Sequence, residues 1–326
     1  MSETLIDRRA SLYEPVSHLM HRNDWERLYA DDIEAVLRLK KQRDAVILAH
    51  NYQTPEIFHC VADIRGDSLA LARAAQTLSQ SVIVLAGVHF MAETAKLLNP
   101  EKTVLIPDTH AGCSLAEGIT AGDVRALKAA HPGVPVVTYV NSTAAVKAES
   151  DICCTSGNAR RLVESLGVPK VIMIPDEFLA RNIEAETGIE MVTWPAHCEV
   201  HERFTPQEIR QYRRIHKGVT VIAHPECPPE VVAEADYSGS TAQMQDYIAM
   251  KQPEKVLLVT ECSMSDNLSV LFPATSFVRP CNLCPHMKRI TLAGIRRSLE
   301  TMETPVSVPE HLQPRARQAV ERMLAA

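Results

Sequence analysis

Short runs of apolar, largely β-branched residues alternate along this chain with longer stretches whose apolar positions recur at helical spacing. The runs predict strands at Ala45 to Ala49, Val82 to Ala86, Thr103 to Ile106, Val136 to Val140, Val171 to Ile174, Met191 to Trp194, Val219 to Ala223 and Lys255 to Thr260. Helices are predicted between them at Ser68 to Leu78, Met91 to Leu98, Gly157 to Leu166 and Thr205 to His216. The last opens with Thr205-Pro206-Gln207-Glu208, a capping box with proline at the first helical position. Strands alternating with helices predict an α/β fold built on parallel sheets. The longest apolar run, Val82 to Val88, has seven residues, against about 20 for a membrane span. No segment is expected to cross a bilayer.

Composition narrows the classes. The chain has 326 residues, 46% of them apolar and 23% charged, which suits two or three folded domains and excludes a disordered chain. A net charge of -6 supplies no field for a polyanion, so nucleic acid is not an expected partner. The start, MSETLIDRRA, lacks the apolar run of a signal peptide, and a cytoplasmic location is expected. The nine cysteines are then expected to be reduced thiols used for packing, metal or redox chemistry, not a disulfide framework.

Comparing strand ends exposes an internal repeat. His50-Asn51-Tyr52, Tyr139-Val140-Asn141 and His224-Pro225-Glu226 each follow or finish a strand. An aspartate comes 12 or 13 residues after the leading His or Tyr, at Asp63, Asp151 and Asp236, and a hydroxyl five residues later, at Ser68, Ser156 and Thr241. Cys113, Cys198 and Cys284 keep the same phase, 85 and 86 residues apart. A small α/β unit occurring three times accounts for this. Ligand sites in such sheets lie beyond the carboxyl ends of the strands, so the three sets are expected around one cavity.

A hydroxyl at a helix start is ordinarily an N-cap. Three in phase, beside helix N-termini, point to a small substrate carrying several anionic groups. Three cysteines from distant loops suit either Zn²⁺ with an open position or three irons of a cubane cluster, and spacing leaves both open. Cys281 and Cys284 form the one Cys-X-X-Cys pair, giving Cys281 a redox reading. Cys60, Cys153, Cys154, Cys227 and Cys262 fall outside the register and read as buried small apolar residues. His201, three residues after Cys198, reads as a proton donor beside the metal, and His224 with Glu226 as a catalytic pair. His197 reads as structural. With 12 glycines and no G-x-x-x-x-G-K-[ST], ATP and NAD cofactors are not supported.

These residues fall within motifs that resemble the bacterial quinolinate synthases of NAD biosynthesis. The likeness runs through His50-Asn51-Tyr52-Gln53, Gly66-Asp67-Ser68-Leu69, Gly87 to Lys96, Asn99 to Val104, Ala111 to Ala116, Tyr139-Val140-Asn141 and Cys154-Thr155-Ser156. It continues through Cys198 with Val200-His201-Glu202, His224 to Pro228, Gly239-Ser240-Thr241 and Cys284 to Met287. The resemblance implies three α/β/α domains with parallel sheets around a pseudo-threefold axis, at residues 1–126, 127–212 and 213–285, followed by a C-terminal helical segment, 286–326. It implies a [4Fe-4S] cluster on Cys113, Cys198 and Cys284 with the fourth iron open. The implied reaction condenses iminoaspartate with dihydroxyacetone phosphate to quinolinate, releasing phosphate and two waters. His50, Ser68, Ser156, His224, Ser240 and Thr241 are implied to hold substrate carboxylates or phosphate, with Tyr139, Asn141 and Glu226 also in contact. Tyr52, Tyr139, His201 and Glu226 are the implied catalytic residues. L-aspartate oxidase or aspartate dehydrogenase is the implied imine source and contact. Segment 263–279 departs from the pattern, and the tail from Val306 to Ala326 reads as helical.

Three rival readings stand beside this one. They are a reductive dehydratase of isoprenoid synthesis on the same three-cysteine plan, a non-catalytic iron-sulfur sensor, and a zinc hydrolase. The concentration of proton-transfer groups at strand ends argues against the sensor.

Overall fold

The computed structural model describes residues 5–326, with side chains from residue 9 onward. The first four residues of the start read above lie outside it. Among the described residues, twelve strands form three four-stranded, all-parallel sheets. The first holds β1 (Ala45–His50), β2 (Ile64–Gly66), β3 (Val82–Ala86) and β4 (Thr103–Leu105). The second holds β5 (Val136–Tyr139), β6 (Ile152–Cys154), β7 (Lys170–Ile174) and β8 (Glu190–Val192). The third holds β9 (Thr220–Ala223), β10 (Tyr237–Ser238), β11 (Lys255–Val259) and β12 (Ser276–Val278). Spatial order is the same in each: the second strand, the first, the third, the fourth. The chain is α/β, consistent with three small α/β/α units.

All six positions of β1 and all five of β3 are buried. Strands covered by helices on both faces read as continuous apolar runs, which is why the central strands were legible. The second strands β2, β6 and β10, and β12, were not predicted. They are two or three residues long and carry polar or half-buried positions such as Arg65, Tyr237 and Ser276.

The repeated aspartates explain how strands this short stay paired. Asp63 Oδ2 accepts the Ile47 backbone N–H at 2.8 Å, Asp151 Oδ2 that of Val136 at 2.8 Å, and Asp236 Oδ2 that of Val221 at 2.8 Å. The backbone N–H of each aspartate returns to the carbonyl of the same residue. Each carboxylate thus satisfies a first-strand donor that the second strand begins too late to reach, and a buried donor left unpaired is costly.

The Thr205 capping box forms as expected, opening the helix Pro206–Ile215. The in-phase hydroxyls are not N-caps. Asp67 caps the helix Ser68–Ala75, accepting from Ala70 at 2.8 Å, and Ser240 caps Thr241–Lys251. Ser156 lies in the turn before the helix Ala159–Ser165. Because neighbouring residues do the capping, the Ser68 and Thr241 hydroxyls are released for other contacts.

The tail is helical only in part. Between the helices Leu292–Thr301 and Gln313–Ala325 the chain runs beside the edge of the first sheet, with Val306 N donating to Val104 O at 2.8 Å. The last helix then joins the second unit, where Arg322 donates to Asp151 O at 2.7 Å and Met323 O accepts from Asn158 at 3.3 Å. The tail therefore ties one unit to another. Among the described residues no helix is long and apolar enough to cross a membrane.

Candidate active site

The carboxyl ends of β1, β5 and β9 deliver His50, Tyr139 and His224 to one cavity. Its wall also carries Tyr52, Ser68, Asn141, Ser156, His201, Glu226, Thr241 and the three in-phase cysteines, Cys113, Cys198 and Cys284. Ser240 is the one expected site residue off this wall. It is buried one position earlier, where its hydroxyl donates to Asp67 Oδ2 at 3.3 Å.

Glu226 is the electrostatic centre. Its Oε2 lies 2.7 Å from His201 Nδ1, and its Oε1 accepts from the Asn141 amide at 3.3 Å and the group also bonds the Tyr139 hydroxyl. Burial by itself would raise its pKa. The imidazoles of His224 and His201 and these hydrogen bonds outweigh that and hold the carboxyl well below its ordinary range. Glu226 is an ionised base enclosed in the protein.

The histidine tautomers follow from their partners. The backbone N–H of Tyr52 donates to His50 Nδ1 at 3.2 Å, and that of Glu226 to His224 Nδ1 at 3.3 Å, so each ring carries its proton on Nε2. Burial lowers His50 to about 4 and His224 to about 3, leaving both neutral at pH 7. His224 Nε2 donates to Ser156 Oγ at 3.3 Å. His201 is the reverse: Nδ1 donates to Glu226, and Nε2 accepts from Thr260 Oγ1 at 2.9 Å. Thr260 in turn accepts from the Tyr52 hydroxyl at 2.6 Å. Tyr52, Thr260, His201 and Glu226 thus form one hydrogen-bonded relay. Burial pushes the Tyr52 and Tyr139 phenols well above their usual value, so both remain protonated donors.

Sequence reasoning missed Thr260, Asp176 and Glu261, all of which follow third strands. Asp176 accepts from Leu179 N at 3.0 Å, and burial together with the Glu226 charge pushes its carboxyl well up. Glu261 accepts from Ser263 N at 2.8 Å, pairs with Lys288 at 2.9 Å and lies 3.4 Å from the Cys284 N–H, anchoring the loop that carries the last in-phase cysteine. Extending the strand-end comparison from first to third strands marks Asp176 and Thr260-Glu261 in equivalent places.

The in-phase thiols are unpaired. Burial pushes Cys113 to about 12, Cys284 to about 11 and Cys198 well above its usual value. Ser114 stitches the first two cysteine loops together, donating to His197 O at 3.0 Å and accepting from Glu199 N at 3.2 Å. His197 itself faces Glu177 and stacks on Phe178, away from the cavity wall.

One cysteine expectation is overturned. Cys262 and Cys281 form a disulfide, so Cys262 is no isolated apolar side chain and the thiols are not uniformly reduced. The pairing depends on the third unit's fold, which brings Glu261 and Asn282 into a parallel bridge with Cys262 N donating to Asn282 O at 3.1 Å. Cys60, Cys153, Cys154 and Cys227 are buried and free.

Comparison with known proteins gives this cavity a family. The family model described as Quinolinate synthetase A protein matches residues 34–325. The chain is similar to Quinolinate synthase 2 of Mesorhizobium japonicum, 66% identical over 99% of both chains. It is also similar to the Quinolinate synthase of Agrobacterium fabrum, at 64% identity over 97% of this chain and 91% of the relative. That of Xylella fastidiosa strain Temecula1 is 66% identical over 91% and 88%. With the model match spanning most of its length, and its three parallel sheets converging on one histidine, carboxylate and cysteine cavity, the chain belongs to the quinolinate synthetase A family.

Proposed function

We propose that this protein is an iron-sulfur quinolinate synthase of the cytoplasm, condensing iminoaspartate with dihydroxyacetone phosphate and releasing phosphate and two waters. One observation carries the reading: three thiols and a buried imidazole-carboxylate-phenol network line the same cavity. We take the repeating units as residues 1–126, 127–212 and 213–285, with 286–326 as the C-terminal segment. L-aspartate oxidase or aspartate dehydrogenase fits as the imine source.

The donor set fits a [4Fe-4S] cluster held by Cys113, Cys198 and Cys284. The three thiols come from three loops and their sulfurs do not all close to within 4.8 Å, a span wider than a single ion's ligand shell. Burial disfavours these three groups as free thiolates, and a bound metal would supply the compensating positive charge. When bound, such a cluster supplies a Lewis-acidic iron able to polarise a substrate oxygen.

The remaining chemistry belongs to the side chains. Ser68, Ser156 and Thr241 offer hydroxyls, and His50 offers an Nε2–H, to substrate carboxylate and phosphate oxygens. His224 acts with Ser156, orienting that hydroxyl. Glu226 takes up substrate protons at Oε2, and the His201 Nδ1–H steadies its charge. Tyr139 and Tyr52 are protonated donors, and Tyr52 is connected to Glu226 through Thr260 and His201, so a proton lost at one end can be replaced at the other. Holding both substrates in such a walled cavity lowers the entropic part of the barrier.

Protein purified without oxygen, supplied with iminoaspartate generated in place and dihydroxyacetone phosphate, is expected to form quinolinate only when both are present. Protein with full iron and sulfide that makes none would remove the assignment.

A further inference from the structure

Among the described residues, one set of His, Cys, Asp and Glu donors has ligand atoms that all lie within 4.8 Å of one another: Cys198, His201 and Glu226. The set pivots on His201 Nδ1, which is 3.1 Å from Cys198 Sγ and 2.7 Å from Glu226 Oε2. A tetrahedral Zn²⁺ bound at about 2.0 to 2.3 Å places its ligand atoms about 3.3 to 3.5 Å apart. The observed contacts need to open by less than an ångström to admit one.

The surroundings are those of a built metal site. His201 and Glu226 are buried, and Cys198 opens to the cavity, so an ion has a route in. Two of the three inner donors have an outer side-chain partner: Thr260 on His201 Nε2, and Asn141 on Glu226 Oε1. One thiolate and one carboxylate neutralise a divalent ion, whereas the three-thiol set would leave a buried net negative charge around the same ion. A mixed thiolate, imidazole and carboxylate set suits a borderline ion of the zinc class rather than magnesium or calcium.

We propose that the protein without its cluster binds one Zn²⁺-class ion through Cys198, His201 and Glu226, and that this ion blocks cluster assembly because both need Cys198. On binding, metal-sulfur, metal-nitrogen and metal-oxygen bonds form. The Cys198 proton leaves to solvent, and the His201 proton moves by solvent exchange from Nδ1 to Nε2, where it donates to Thr260. No electrons are transferred. The site itself stands on geometry alone; its antagonism to the cluster rests on the iron-sulfur reading above.

The test uses the full chain stripped of iron by a chelator under reducing conditions, titrated with Co²⁺ and then competed with Zn²⁺. One equivalent of Co²⁺ is expected to give tetrahedral bands with a thiolate-to-cobalt charge-transfer band. Cys198→Ser is expected to lose that band, and Glu226→Gln to weaken binding at least tenfold, while Cys113→Ser and Cys284→Ser bind as wild type. Circular dichroism confirms that each variant is folded. Loss of the band in Cys113→Ser or Cys284→Ser, or no stoichiometric binding by the wild type, overturns the site. In a second arm, zinc-loaded wild type is expected to resist iron-sulfide reconstitution, and Glu226→Gln, which keeps all three cysteines, to accept it at the same zinc concentration. Equal reconstitution of both overturns the antagonism. Failure of zinc-free wild type to take up iron and sulfide instead removes the cluster reading, leaving the cobalt result to judge the site.

Discussion

His201 Nδ1 lies 2.7 Å from Glu226 Oε2, joining a residue of the loop after the second sheet to one just beyond β9, with both side chains sealed from solvent. The contact fixes which imidazole nitrogen holds the proton, and it keeps the cavity's base ionised despite burial. Much of the expected behaviour of the protein follows from this pair and from the cysteine loops around it.

Glu226→Gln and Tyr139→Phe keep their shapes and remove one charge and one hydroxyl. Both are expected to fold and retain iron, and to lose about 10²- to 10⁴-fold in turnover, the usual contribution of a general acid or base. Steady-state quinolinate formation beside iron analysis checks this. Near wild-type rates in both would make the residues structural.

The cysteines should separate into two groups. Cys113→Ser, Cys198→Ser and Cys284→Ser are expected to lose the intact cluster, whereas Cys60→Ser, Cys153→Ser, Cys154→Ser and Cys227→Ser keep it. In the second group a buried thiol becomes a more polar hydroxyl, a loss of about 1 to 3 kcal/mol where it finds no partner; Cys60 and Cys227 already donate to Leu12 O at 3.4 Å and Val259 O at 3.5 Å. Iron and acid-labile sulfide counts, with urea midpoints, distinguish the two outcomes.

The Cys262–Cys281 bridge closes a 19-residue separation and ends three residues before Cys284. Cys281→Ser is expected to keep iron and activity and to abolish any response of activity to thiol reductants. Mass mapping without reductant should find the linked peptides in the wild type. Loss of the cluster in Cys281→Ser, with retention in Cys284→Ser, would show that the ligand is the other member of the pair.

Acid should destabilise the fold through its buried histidines. Burial lowers His50 and His59 from 6.5 to about 4, so below pH 6.5 the unfolded chain binds protons that the folded chain refuses. Stability is therefore expected to fall as pH drops from about 6.5 to 4, on the order of 3 kcal/mol for fully buried His50. Urea midpoints against pH should show a shallower acid limb in His59→Gln, a change outside the cavity. An unchanged slope would mean that His59 titrates normally in the folded protein.

Asp151→Ala removes the carboxylate that pairs with Val136 N and leaves that donor unmatched. A loss of about 1 to 3 kcal/mol is expected, with activity per folded molecule near wild type. Chemical denaturation beside single-turnover rates checks both halves.

The apolar central strands, the α/β class and the threefold phase of strand ends, aspartates, hydroxyls and cysteines are legible in the order of residues alone. These are local or periodic properties, since a strand buried on both faces must be apolar and a repeated unit returns its functional ends at a fixed interval. The remaining features depend on how distant segments pack. Strands of two or three residues such as β10 are too short for a pattern to register, and the Asp236 contact that holds β10 is visible only once the strands pair. Cys262 was indistinguishable from a packing cysteine until the third unit folded it against Cys281. The relay from Tyr52 through Thr260 to His201 spans 208 residues in its first step. A side chain's hydrogen-bond partner is set by how separate units dock, and one-dimensional spacing carries no record of that docking.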